Sequence, residues 1–245
     1  MKSILKREAR VTLFAGHYGS GKSTAAIAFA AALRAAFPDE PLALADLDIV
    51  NPYFRTTDSA ELLRSLGVEM VASDFAGTNV DVPALPGAAY SITERRDVRA
   101  VIDVGGDDRG ALALGRYVPA LKEEGSYDML AVINPYRPLT RTVADTVEVL
   151  REIEAACGLA FTAILNNPAL GANSTADSVV SATPYALGVA EAMGIPVAFT
   201  MAREDLCDEL EKRSSELPAE GLLLPFSHKI AHGGISGRTS LRMTR

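Results

Sequence analysis

The chain has no tryptophan, and aromatic residues make up only 6% of its 245 positions. A stacking platform for single-stranded nucleic acid needs such rings, so that class is set aside. Cysteine is almost absent. Cys157 and Cys207 stand far apart and in no C-x-x-C pattern. They support neither a disulfide framework nor a zinc or iron–sulfur site. Buried, inert thiols in a reducing cytoplasm are expected. Long apolar runs are missing too. The longest, Ala25–Leu33, falls well short of a membrane span. Val11–Ala15 is too short for the core of a signal peptide, and charged residues crowd the first ten positions. Positive charge is in deficit: 24 Lys and Arg against 31 Asp and Glu leave a net −7. That argues against nucleic-acid binding over the whole surface.

What is present is a glycine-rich loop with a lysine. Residues 16–23 read Gly16-His17-Tyr18-Gly19-Ser20-Gly21-Lys22-Ser23, the G-x-x-x-x-G-K-[ST] pattern. Three glycines let successive backbone N–H groups turn inward and cradle an anion. The apolar run Arg10-Val-Thr-Leu-Phe-Ala15 before it reads as a strand. The Ala-, Ile- and Leu-rich stretch from Ser23 to Phe37 reads as a helix, whose positive end adds to the same spot. Lys22 reaches β- and γ-phosphates, the Ser23 hydroxyl suits Mg²⁺, and Thr24 completes the nucleotide-binding stretch.

Short apolar runs alternate with helical stretches along the rest of the chain. Val11–Ala15, Leu42–Ala45, Val68–Ala72, Ala100–Val104, Met129–Ile133, Phe161–Leu165 and Val197–Thr200 predict strands. Helices are expected near 23–36, 58–66, 84–95, 110–123, 140–156 and 176–193. Strands apolar on both faces and spaced by helices mean a parallel sheet covered on both sides. The fold class is α/β, doubly wound, with seven or eight mostly parallel strands. Residues 1–224 form one nucleotide-binding domain. Residues 225–245 carry Lys229, Arg238, Arg242 and Arg245 and no acid. They read as a poorly ordered basic tail.

Ligands of such folds sit at the carboxyl ends of the strands. After the second strand comes Asp46-Leu47-Asp48, two acids that leave a strand end toward one side. Asp48 is the candidate for Mg²⁺ or for orienting an attacking water. After the fourth comes Asp103-Val104-Gly105-Gly106-Asp107-Asp108-Arg109. Asp103 is placed near the metal, and the glycines let backbone approach a terminal phosphate. Asp107 and Asp108 either join the site or cap the next helix. Asp48 and Asp103 are both expected on loops, outside the core. After the sixth strand, the Asn166 amide can read an adenine edge. No N-K-x-D element selects guanine, so ATP is favoured over GTP. Arg55, Arg109 and Arg137 each follow a strand on this edge and could stabilise a transferring phosphoryl group.

Taken together, residues 10–200 resemble the MinD/ParA and CobQ/CobB family of deviant-Walker P-loop proteins, of the SIMIBI class. The resemblance rests on the loop, on Asp46-Leu47-Asp48 with Asn51-Pro52, on Asp103 before glycines, and on Asn166. It implies an ATP- and Mg²⁺-dependent ATPase, with Lys22, Asp48 and Asp103 as catalytic residues. Metal would be held by Ser23, Asp48 and Asp103. It also implies a homodimer with nucleotide at the interface, acting as a switch with an unknown protein or small-molecule partner. Many members carry a signature lysine after the first loop glycine that crosses to the partner's nucleotide. Here that position is His17, and Tyr18 replaces a usual glycine, so an arginine is expected to supply that charge. The alternatives are a single-domain ATP-dependent synthetase that activates a carboxylate, and a nucleotide sensor without useful turnover.

Overall fold

The computed structural model describes residues 9–47, 57–71, 92, 94–106, 114, 115, 117–219, 221–226, 242 and 243. Along them run β1 (Val11–Ala15), α1 (Lys22–Ala36), β2 (Leu42–Leu47), α2 (Thr57–Ser65), β3 (Glu69–Val71) and β4 (Arg99–Val104). There follow α3 (Val118–Glu124), β5 (Tyr127–Ile133), α4 (Val143–Cys157), β6 (Ala163–Asn166), α5 (Ala176–Ser181) and α6 (Thr183–Met193). The chain then forms β7 (Val197–Arg203), α7 (Cys207–Lys212), β8 (Leu222–Phe226) and β9 (Arg242–Met243).

The strands join in one sheet, ordered β3-β2-β4-β1-β5-β6-β7-β8-β9. The first eight run parallel, and β9 returns antiparallel along β8. This is the expected doubly wound α/β sheet. Alternation along each strand sends side chains into two cores. Phe14, Leu44, Val101 and Leu165 pack under α1 and α2. Leu13, Ile102, Met129 and Ile164 pack under α3, α4 and α6. The rings of Phe14 and Phe199 stand 5.4 and 5.6 Å from that of Phe29, which seats α1 on the sheet. The helix after β1 covers one face and the helix after β5 the other. The chain therefore changes direction between these two strands, and a crevice opens at their carboxyl ends.

Several boundaries differ from the sequence expectation. β2 runs through Leu47, so Asp46 lies within the strand rather than after it. β6 starts at Ala163 and takes in Asn166. The helix expected over 176–193 is two, α5 and α6, because Pro184 at the start of α6 cannot donate to a preceding turn. β8 was not among the strands read from the sequence. It carries Pro225 and Phe226, which the tail was expected to include. Pro225 lies opposite Ala202 of β7, and among the described residues β9 pairs with β8 only at Leu222 and Leu223. Residues 227–241, and with them most of the tail, lie outside the described residues. So does nearly all of the helix expected at 84–95.

Both cysteines are buried. Burial also pushes the Cys157 thiol up, away from the reactive thiolate. No helix among the described residues is long and apolar enough to cross a membrane.

Candidate functional site

The loop between β1 and α1 depends on glycine at two points. A Cβ at Gly16 would collide with the Val132 carbonyl of β5, and one at Gly21 with the Asn167 amide. Gly19 and Gly21 hold φ of 76° and 93°, a left-handed conformation that other residues avoid. The loop is therefore pressed against β5 and the end of β6. Gly21 begins α1 with no side-chain cap and no acid in the first turn. By contrast Thr142 caps α4 and Thr175 caps α5. The positive end of α1 is thus left to whatever lies in the loop.

Around the loop stand the acids. Ser23 donates its hydroxyl to Asp103 Oδ2 at 2.7 Å. Asp103 is 0% exposed and sits inside β4, which corrects the expectation of a loop residue outside the core. Asp46 lies opposite Asp103 in the β2–β4 register and is also buried. Alternation places both carboxylates on the α1 face, in line with Leu44 and Val101. Lys22 is buried and its ammonium approaches the His17 carbonyl at 3.5 Å. Thr24 is half-buried in the first turn of α1. Gly106, just past β4, closes on the same group. A Cβ there would stand 2.6 Å from Lys22 Nζ and 3.0 Å from the Tyr18 backbone N and Cα. Gly106→Ala is expected to push Lys22 out of place and weaken nucleotide binding about tenfold, by overpacking. Calorimetric titration of wild type and variant checks it.

The amide that meets the loop belongs to Asn167. It donates to the Ser20 carbonyl at 2.6 Å, across 147 residues of chain. Asn166 was the residue singled out in the sequence. It lies in β6 opposite Thr200. Its alternation with Ile164 aims it at the face away from α1. It is 0% exposed, and neither its amide atoms nor Thr200 Oγ1 has a partner among the described residues. The Asn-Asn-Pro run gave no means of choosing between the two. Arg137 stands beside the loop, with Nε 3.9 Å from the place of a Gly19 Cβ. His17 turns Nδ1 toward the Tyr18 carbonyl, 2.8 Å away, and Tyr18 is exposed. Asp48, Asn51, Pro52, Arg55, Asp107, Asp108 and Arg109 lie outside the described residues.

A buried hydroxyl network backs the site. Thr146 and Tyr185 hydroxyls meet at 2.7 Å, and the Tyr185 hydroxyl donates to the Thr140 carbonyl at 3.0 Å. Burial pushes Tyr185 from the ordinary 10 up to about 12. The folded state thus favours the neutral phenol. That stabilisation is complete below pH 10 and is lost as the pH climbs toward 12. The melting temperature is expected to fall across that window, and Tyr185→Phe to flatten the fall. Thermal melts at stepped alkaline pH check this.

A phosphate loop between β1 and α1, an acid at the end of a neighbouring strand and a parallel sheet define a P-loop NTPase fold. No family model matches the chain, and no curated protein matches it. Solved structures do. The signal recognition particle receptor FtsY from Elizabethkingia anophelis shares 16% identity at TM-score 0.52, over 79% of this chain and 59% of that one. Chloroplast FtsY from Physcomitrella patens shares 18% at TM-score 0.51, over 79% of this chain and 58% of that one. The 54 kDa signal recognition particle protein from Aeropyrum pernix K1, in complex with GDP, shares 15% at TM-score 0.49, over 79% and 41%. At such identities the likeness is one of fold. The chain spans less than two-thirds of the length of each of these structures.

Proposed function

We propose that this chain binds ATP with Mg²⁺ and hydrolyses it slowly, as a dimerising switch of the MinD/ParA and CobQ/CobB kind. The observation that carries the reading is the 2.7 Å contact between Ser23 and Asp103 at the mouth of a glycine cradle. A P-loop serine held by a strand-end carboxylate is the pair that would hold Mg²⁺, with Asp48 as a further ligand. The metal, when bound, neutralises charge on the phosphates. The residues fit such a group. The cradle excludes any Cβ at Gly16 and Gly21, and the positive end of α1 carries no side-chain cap among the described residues. Lys22 supplies charge to the β- and γ-phosphates, and Asp48 is assigned to the attacking water.

ATP is preferred to GTP on the sequence around the base. Whether counted from Asn166 or Asn167, the third residue on is Ala169 or Leu170, so the acid that would read guanine is missing. Calorimetric titration with Mg·ATP and Mg·GTP is expected to show ATP binding at least tenfold tighter, and tighter GTP binding would overturn the ATP reading.

Dimerisation draws support from the loops at the carboxyl edge. Tyr18, Leu139 and Leu170 follow β1, β5 and β6, and all three are exposed. Apolar side chains on one nucleotide-bearing edge suit coverage by a second copy. Light scattering with a non-hydrolysable ATP analogue is expected to show a dimer. A monomer whose rate per molecule is independent of concentration would move the reading to the single-domain synthetase.

A further inference from the structure

The turn after β5 is held far more firmly than a surface loop requires. Asn134, fully buried, accepts the Tyr136 N–H on Oδ1 at 2.9 Å and donates Nδ2 to the Ala169 carbonyl at 3.3 Å. The Asn134 carbonyl accepts the Arg137 N–H at 3.3 Å and the Thr140 hydroxyl at 2.9 Å. The Tyr136 hydroxyl donates to the Ser178 carbonyl at 2.6 Å. The Thr140 N–H closes on the Arg137 carbonyl at 3.2 Å. Pro135 and Pro138 restrict the backbone further. Both backbone groups of Arg137 are therefore fixed, while its side chain is exposed.

That side chain has its Nε 3.9 Å from the place of a Gly19 Cβ, in the phosphate loop of its own chain. Its guanidinium has no hydrogen bond or ion pair among the described residues. Other arginines do. Arg10, Arg95, Arg99, Arg151, Arg203 and Arg213 each pair with a carboxylate. In a chain with 31 acids and 24 bases, an unneutralised arginine anchored over an anion cradle is set for an anion.

We propose that Arg137 acts in cis: its guanidinium closes over the phosphate chain of the nucleotide held by its own loop. It supplies a fixed positive charge at the loop, where the sequence has His17 in place of the signature lysine. The inference rests on the nucleotide reading above and adds the residue and the subunit from which the charge comes. It replaces, for Arg137, the expectation of an arginine reaching across a dimer.

The test titrates wild type, Arg137→Ala, Arg137→Lys and Lys22→Ala with a fluorescent ATP and a fluorescent ADP in Mg²⁺. Losing a charged hydrogen-bond donor should weaken ATP binding in Arg137→Ala by about ten- to a hundredfold. Arg137→Lys should recover only part, because an ammonium lacks the two-pronged geometry. The melting temperature without nucleotide should stay unchanged, since backbone groups hold the turn. Mixing Arg137→Ala with Lys22→Ala separates cis from trans. In cis no loop in the mixture has both residues, so bound ATP and turnover should equal the sum of the two alone. Recovery in the mixture overturns the cis assignment. If wild type and Arg137→Ala bind ATP alike, Arg137 has no such role while the nucleotide reading stands. If wild type binds neither nucleotide, the nucleotide reading fails as well.

Discussion

Lys22→Ala is expected to abolish the stabilisation that Mg·ATP gives the wild-type protein. A ligand that binds only the folded chain, at a hundredfold excess over its dissociation constant, adds about 2.7 kcal/mol. For a domain of this length that raises the melting temperature by roughly 5–10 °C. Lys22 is the residue on which this gain turns. It is buried at the start of α1, between the His17 carbonyl and the Gly106 backbone. Its aliphatic stem packs, so truncation also leaves a small void, but the ammonium is what meets phosphate. The variant should melt near the wild-type temperature without ligand and fail to respond to ATP. Differential scanning fluorimetry across ATP, ADP and GTP measures it. A wild-type melting point indifferent to all three would remove the nucleotide reading altogether.

The phosphate loop was legible because its ligand is cradled by consecutive backbone groups, so the motif is contiguous in sequence. Asp103 was legible for a similar reason: an apolar strand ending in an acid and two glycines is a local signal. Its burial was not, because that depends on β2 lying beside β4 and bringing Asp46 opposite it. Contacts formed across the fold left no local trace. Asn167 reaches Ser20 from just past the end of β6, and only the pleat decides that Asn166 faces the other way. Arg137 could be placed on the right edge from its position after a strand. Its proximity to Gly19 follows from β5 being the neighbour of β1, which no periodicity reveals. β8 was hidden by Pro225, which reads as a strand breaker when its sequence is taken alone.

Arg10→Ala is expected to cost about 3 kcal/mol of stability while leaving nucleotide affinity untouched. Arg10 precedes β1 at the edge of the sheet opposite the phosphate loop. Its guanidinium holds both Glu124 oxygens, at 2.6 and 2.7 Å. It also donates to the carbonyls of Ile92, Arg95 and Val98 at 2.9, 3.2 and 2.6 Å. Both side chains are mostly buried, 12% and 14% exposed. Breaking a buried pair from one side costs about 3–5 kcal/mol, and residual water access argues for the lower end. The melting temperature should then fall by about 6–12 °C. Glu124→Ala should cost less, about 1–2 kcal/mol, because Arg10 keeps three carbonyl acceptors. Apolar replacement of both should not restore wild-type stability, since those three carbonyls stay unserved. Urea titration orders the variants. If Glu124→Ala is the more damaging, the ion pair and not the carbonyl clamp is what ties the strand edge to α3.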